Sequence, residues 1–466
     1  MTEPRPEPRG QQPAPSEAPP AGPAAMDPET VLRSRAYLSA LVLAGVLGIP
    51  ISAVAYGFLA LVTQLQELLF QDLPDQLFTG GMPAWWPLPW LALCGLLTGA
   101  TIRYLPGNGG HSPAFGFQAG GGPPVDRELP GIVLAALVTL GLGAVLGPEA
   151  PLIAIGGGLA ALTVHLVNKD APPMALTIMA SAGSFAAVST LLGSPILGAF
   201  LIMEVAGIGG VTLSLVALPG LLASGIGALV FLGLDNWTGL GTFSLSLTSV
   251  PPAVDPTLAT MGWAVVVGVL AALLGWLIRW GALSLRPVVH VNRVAVTTGL
   301  GLLIGAVAMV YQLVSGRSGT QVLFSGQAAL PELVAHVADY SVATLILLAV
   351  CKMVMYALSL SAFRGGPIFP AMLVGATIGM AMSGLPGMSA APAIAMGIGG
   401  MCVAMLRLPL TSTLLAVLLL GDDGVAVTPQ VIVAVVVAFV LTHVLPAQGA
   451  PEATSREEAS PAVQPV

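Results

Sequence analysis

Gly147-Pro148-Glu149-Ala150-Pro151 is the stretch on which the reading turns: an acid set among a glycine and two prolines. It interrupts an apolar region. Before it runs GIVLAALVTLGLGAVL (Gly131–Leu146), and after it LIAIGGGLAALTVHLV (Leu152–Val167). A carboxylate in such surroundings faces hydrocarbon unless protein or water encloses it. A charge at bilayer depth costs at least ~2.5–3.5 kcal/mol on insertion scales, so an ionisable residue there marks a functional site. Pro148 suits the first turn of a helix, where its missing N–H costs nothing. The free amides that follow form a partial positive pole that attracts anions. The stretch therefore predicts a half-helix starting at membrane depth with an acid at its mouth.

The rest of the composition agrees. Of 466 residues 55% are hydrophobic and 8% charged, where a soluble domain carries about 25% charged residues. An all-α polytopic protein with the lipid bilayer as its solvent follows. The net charge of −7 says little about partners, because many acids lie near the two ends. No basic patch exists for nucleic acid to meet. Cys94, Cys351 and Cys402 are far apart in apolar runs, so neither a disulfide framework nor a metal site is expected, and no cofactor is implied. A membrane-embedded enzyme, the distant alternative, would need a nucleophile–base pair or a metal cluster. The adjacent acids Asp422-Asp423 in GDDG read instead as a solvated turn.

Residues 1–34 and 448–466 are polar, Pro- and Ala-rich, and read as a disordered leader and tail around a membrane domain at 35–447. Arg33 and Arg35 precede the first apolar run, Leu38–Val62, which places the N-terminus in the cytoplasm of a multi-pass cell-membrane protein. Trp85, Trp86 and Trp90 mark the outer interface, and a return segment, Leu91–Ile102, ends at Arg103. Later segments are Gly131–Leu146, Glu149–Val167, Met174–Leu192, Pro195–Ile208, Leu213–Leu234 and Leu258–Leu285. Val296–Val314, Val342–Ser361, Ile368–Met382, Ala391–Met405, Pro409–Leu420 and Val425–Leu445 complete the set, with the C-terminus again cytoplasmic. Arg279, Arg286 and Arg293 mark a second cytoplasmic loop. Several segments are shorter than the ~20 residues of a full span. Such pieces are tolerated only when buried in protein or lining a cavity.

The chain echoes itself. Gly147-Pro148-x-x-Pro151-x-x-x-x-Gly156 returns as Gly366-Pro367-x-x-Pro370-x-x-x-x-Gly375, 219 residues on. Ser194-Pro195-Ile196-Leu197 returns as Leu408-Pro409-Leu410-Thr411 at an offset of 214. Two repeats, about 35–235 and 255–446, with broken helices at matching positions point to a transporter or channel whose site lies between them.

These residues resemble a family. LGPEAPLI (Leu146–Ile153) resembles the G-[KR]-E-G-P helix start of chloride channels and chloride/proton antiporters, and FRGGPIFPAMLVG (Phe363–Gly375) resembles their G-G-x-F-x-P motif. SPILGAFLIMEV (Ser194–Val205) and LPLTSTLLAV (Leu408–Val417) are similar to the paired A-P-L segments. The likeness is closest to a bacterial branch of ion-transport proteins. It implies an inverted-repeat fold with half-helices meeting at mid-membrane, a homodimer, and a small inorganic anion, chloride first, as the substrate. It places Glu149 on the gating glutamate, and Gly147, Ala150, Gly366, Ile368 and Phe369 around the anion. In PGNGGHSP (Pro106–Pro113), either Asn108 or Ser112 takes the place of the anion-binding serine, and His111 reads as a loop residue.

The departures bear on mechanism. Pro148 replaces the basic residue before the glutamate, and Pro367 removes one N–H donor. Glu204-Val205 stands where antiporters carry two glutamates, so Glu204 is the remaining acid for an inner proton path. No tyrosine follows Val425 to form the inner gate. The implied function is a glutamate-gated anion channel or transporter. A proton-coupled antiporter of chloride, fluoride or nitrate is the alternative.

Overall fold

The computed structural model describes residues 32–117, 127–207, 210–247, 250, 252–253, 256–446 and 448, with 210–212 described by backbone only. Apart from residues 32–34 and Gln448, the expected leader and tail lie outside the described residues. Ser34 belongs to the first helix as its cap, its hydroxyl accepting from the Tyr37 amide at 3.1 Å. Gln448 is likewise fixed, its side chain donating to Trp276 O at 2.7 Å.

The first repeat runs through α1 (Arg35–Leu77), α2 (Pro87–Tyr104), α3 (Leu129–Gly141), α4 (Glu149–Val167), α5 (Pro173–Ala187), α6 (Pro195–Val205) and α7 (Gly210–Thr238). The second runs through α8 (Leu258–Val291), α9 (Arg293–Ser315), the short α10 (Ala329–Ala335), α11 (Val342–Ala362), α12 (Ile368–Met382), α13 (Ala390–Leu406), α14 (Pro409–Leu419) and α15 (Gly424–Val444). No β-strand occurs among the described residues. By length and composition, α1, α4, α7, α8, α9, α11 and α15 are each able to cross a membrane, while α3, α5, α6, α12, α13 and α14 are the shorter apolar pieces the repeat calls for.

The two repeats pack by the same rules. The α4–α5 contact matches α12–α13, α1–α7 matches α8–α15, and α5–α7 matches α13–α15. Close approach depends on glycine in matching places. A Cβ on Gly156 would strike Gly183 O and one on Gly183 would strike Gly156 O; Gly375 and Gly397 stand in the same relation. The repeats meet through equivalent elements. In the α2–α9 contact a Cβ on Gly95 would strike Thr297 O, and one on Gly301 would strike Leu91 O. Without a hydrophobic drive between helices in lipid, such backbone-to-backbone packing supplies the association.

The apolar pattern overran several boundaries. Gly131–Leu146 is helical only to Gly141, because Gly143 takes φ +106° and the chain continues as a non-helical linker to Pro148. Met174–Leu192 ends at Ala187 in turns. Leu258–Leu285 continues through Pro287 to Val291, so Arg279 and Arg286 are helical and Asn292 alone separates α8 from α9. Asp422-Asp423 forms the expected tight turn, in which Asp423 also accepts from the Ala253 amide at 3.1 Å.

Candidate anion site

The linkers that end α3 and α11 lie deep in the protein, where unpaired backbone groups cost several kcal/mol each. Most of their amides therefore have partners, several of them in the other repeat. Gly147 N donates to Gly366 O at 2.7 Å, and Gly366 N donates back to Gly147 O at 2.6 Å. Val145 N donates to the Ser359 hydroxyl at 3.0 Å, and Arg364 N to the Thr139 hydroxyl at 3.4 Å. Val145 and Arg364 stand 219 residues apart, as do the two glycines. A hydroxyl near the end of each helix thus supports the other repeat's linker. The helices α4 and α12 start on either side of this paired backbone.

Glu149 opens α4 and is fully buried. Its Oε1 accepts the amide of Ile368, the first residue of α12 and its own counterpart in the second repeat. The Phe369 amide also faces the carboxylate. A Cβ on Gly147 would strike Glu149 Oε2 and one on Gly366 would strike its Cδ, so the carboxylate lies directly over the paired glycines. No larger residue fits beneath it. Oε2 is buried and has no hydrogen-bond partner among the described residues. Ala150 is half-buried one place further along α4, and Ile368 and Phe369 are buried. The structure therefore brings Gly147, Glu149, Gly366, Ile368 and Phe369 together in one place.

Pro367 supplies no amide, as its ring dictates. Its carbonyl accepts the hydroxyl of Tyr356 at 2.7 Å. Tyr356, Ser359 and Lys352 lie on one stripe of α11 at helical spacing, and all three are fully buried. Sequence reasoning passed over them. Three polar residues four and three apart within an apolar span were the available signal.

The loop at Pro106–Gly109 also reaches the site. Arg364, two places before Gly366, donates from Nε and Nη2 to Asn108 O at 3.2 and 3.1 Å. Asn108 itself is exposed in a left-handed turn at φ +50°. Ser112 is half-buried further along and makes no side-chain cap bond. The backbone of Asn108 is thus the part tied to the paired linkers.

Glu204 lies elsewhere. Its two oxygens accept the amides of Leu410 (2.9 Å) and Thr411 (2.7 Å) in the first turn of α14. It is half-exposed and caps that helix from the other repeat. At the starts of both α12 and α14, an acid of the first half sits on a helix of the second.

A family model described as voltage gated chloride channel matches residues 116–443. The chain belongs to the voltage-gated chloride channel family. Anion transport across a membrane, not covalent chemistry, is therefore its function. "Putative ion-transport protein YfeO" of Escherichia fergusonii is 28% identical over 381 residues, which span 80% of this chain and 86% of that protein. Its namesake in Escherichia coli strain K12 / DH10B is also 28% identical over 381 residues, with the same coverage. Among solved structures, a slow cyanobacterial Cl−/H+ antiporter matches with a TM-score of 0.68 at 20% identity, over 90% of this chain and 97% of that one. A CLC-type fluoride/proton antiporter matches with a TM-score of 0.67 at 19% identity, over 88% of this chain and 96% of that one. At these identities the two structures speak to the fold, which is the expected all-helical inverted-repeat architecture.

Proposed function

We propose that the protein conducts small inorganic anions, chloride first, past a gate formed by the Glu149 side chain. The observation that carries this reading is the buried carboxylate seated on the Ile368 amide above the Gly147–Gly366 pair. A carboxylate in that position occupies a place suited to an anion: a helix start with free N–H groups, shut off from water. When the carboxylate is protonated or swings away, the amides of Ile368 and Phe369 become available to a permeant ion. Gly147, Ala150 and Gly366 line the same break, and Asn108 or Ser112 borders it from the Pro106–Pro113 loop.

Permeation without tight proton coupling is the favoured form. Val205 has no proton to exchange, and both oxygens of Glu204 are engaged by α14 amides. The antiporter reading draws on the two structural neighbours, whose descriptions name Cl−/H+ and fluoride/proton exchange. We further propose a homodimer with both termini in the cytoplasm of a cell membrane.

Purified protein in liposomes tests this, with efflux of chloride, fluoride and nitrate followed in parallel with internal pH. Chloride efflux without proton movement supports the reading. Efflux that drives protons against their gradient makes the protein an antiporter, and absence of flux for all three anions defeats the proposal.

A further inference from the structure

Among the described residues, one carboxylate and one amine are fully buried, Glu149 and Lys352. The site described above uses the first and leaves the second unexplained. Lys352 lies midway along α11, and its ammonium donates to three successive backbone carbonyls, Val322 O (3.1 Å), Leu323 O (2.7 Å) and Phe324 O (2.9 Å). These three bonds use all the donors an ammonium has. All three acceptors are neutral. A buried cation is normally met by a carboxylate, because dipoles recover only part of the lost solvation.

The segment that holds the ammonium also touches the linker that presents Glu149. Phe324 N donates to Gly143 O at 3.2 Å, and the chain from Gly143 leads in six residues to the gate. Phe324 takes φ +56°, a strained value for an aromatic residue, so its position is imposed by the surrounding bonds. On the other side, Tyr356 stands one turn along α11 from Lys352 and holds Pro367, the residue next to Ile368. With all three donors on carbonyls the ammonium makes no direct bond to the Glu149 carboxylate, but a full charge in a poorly polarisable interior acts beyond bonding distance.

We propose that Lys352 is the fixed positive charge of the transport path, balanced by the Glu149 carboxylate when the gate is seated and by the permeant anion when it is not. The proposal rests on the reading of Glu149 as a gate. It assigns Lys352 a positioning and electrostatic role, with no contact to the ion. Without its charge the break between α4 and α12 keeps its amides but holds an anion less tightly.

The test is chloride binding by isothermal titration calorimetry on the purified full-length protein carrying Glu149→Gln, alone and combined with Lys352→Met, Lys352→Gln or Lys352→Arg. Over about 10 Å at an effective dielectric near 20, one unit charge changes affinity about tenfold. Both neutral variants are expected to weaken chloride binding by about that factor, and Lys352→Arg to stay within about threefold of the parent. Lys352→Gln keeps a donor for the carbonyls, so it carries the comparison if Lys352→Met fails to fold, judged by size-exclusion chromatography. Equal affinity in Lys352→Gln and the parent overturns the proposal, as does a tenfold loss in folded Lys352→Arg. If the Glu149→Gln parent binds no chloride at all, the gate reading fails and the proposal falls with it.

Discussion

Replacing Glu149 by glutamine removes the charge and keeps the shape, so its effect can be estimated from the seat the carboxylate occupies. The bond from the Ile368 amide to Oε1 is charge-assisted, worth about 1.5–3 kcal/mol against about 0.5–1.5 for a neutral one. That difference weakens the seated state by about 1–1.5 kcal/mol. The second oxygen, buried with no partner among the described residues, becomes an NH2 group in the same enclosed place. That oxygen is already unpaired in the wild type, so the exchange adds no further loss there. The seated conformation therefore loses about 1–1.5 kcal/mol, which shifts its equilibrium with the open one by roughly 5- to 13-fold. Chloride efflux from liposomes at pH 7.5 and pH 4.5 reads this directly. Wild-type flux should rise as pH falls, because protonation neutralises the carboxylate and releases its hold on the Ile368 amide. The Glu149→Gln protein should conduct at least about five times faster than wild type at pH 7.5, and equally fast at both pH values. Unchanged flux that still depends on pH would refute the gate.

Other perturbations separate structure from transport. Glu204→Gln keeps one acceptor for the start of α14 and loses the charge, so thermal unfolding in detergent should show a loss of about 1–2 kcal/mol. Its chloride flux should stay intact; lost flux would place Glu204 in the conduction path. Gly301→Val forces a side chain onto Leu91 O and should cost about 3 kcal/mol or more, seen as poor recovery of folded protein. Gly299→Ala, where a Cβ meets open space, should fold normally and serves as the control. Tyr356→Phe leaves Pro367 O with only the long bond from Ala371 N at 3.4 Å. It should cost about 1–3 kcal/mol in unfolding experiments, and unaltered stability would show that the hydroxyl is dispensable.

The breaks at Pro148 and Pro367 were legible because a lone acid is rare in apolar sequence and because the Gly-Pro-x-x-Pro pattern returned at a fixed offset, which exposed the two halves. The ends of α3 and α5 were not. Leu142–Leu146 is as apolar as the helix before it, and what unwinds it is the demand for Val145 and Gly147 to bond across to Ser359 and Gly366. Arg286 looked like a loop residue because charge near a span end usually marks the interface, yet α8 carries it within the helix. Glu204 illustrates a different limit. The family resemblance made it a candidate for an inner proton path, while its partners, the amides at the start of α14, lie more than 200 residues away.

By itself the sequence determined an all-helical membrane protein of two related halves, with Glu149 at a half-helix start. Composition, breakers and internal repetition are local properties of the chain and need no partner to be read. Only the tertiary structure decided that Glu149 crosses to Ile368, that Lys352 is enclosed by three carbonyls, and that Tyr356 supports Pro367. Those pairings depend on which backbone groups are left without water once the halves close, and that is settled by the packing of all the helices together.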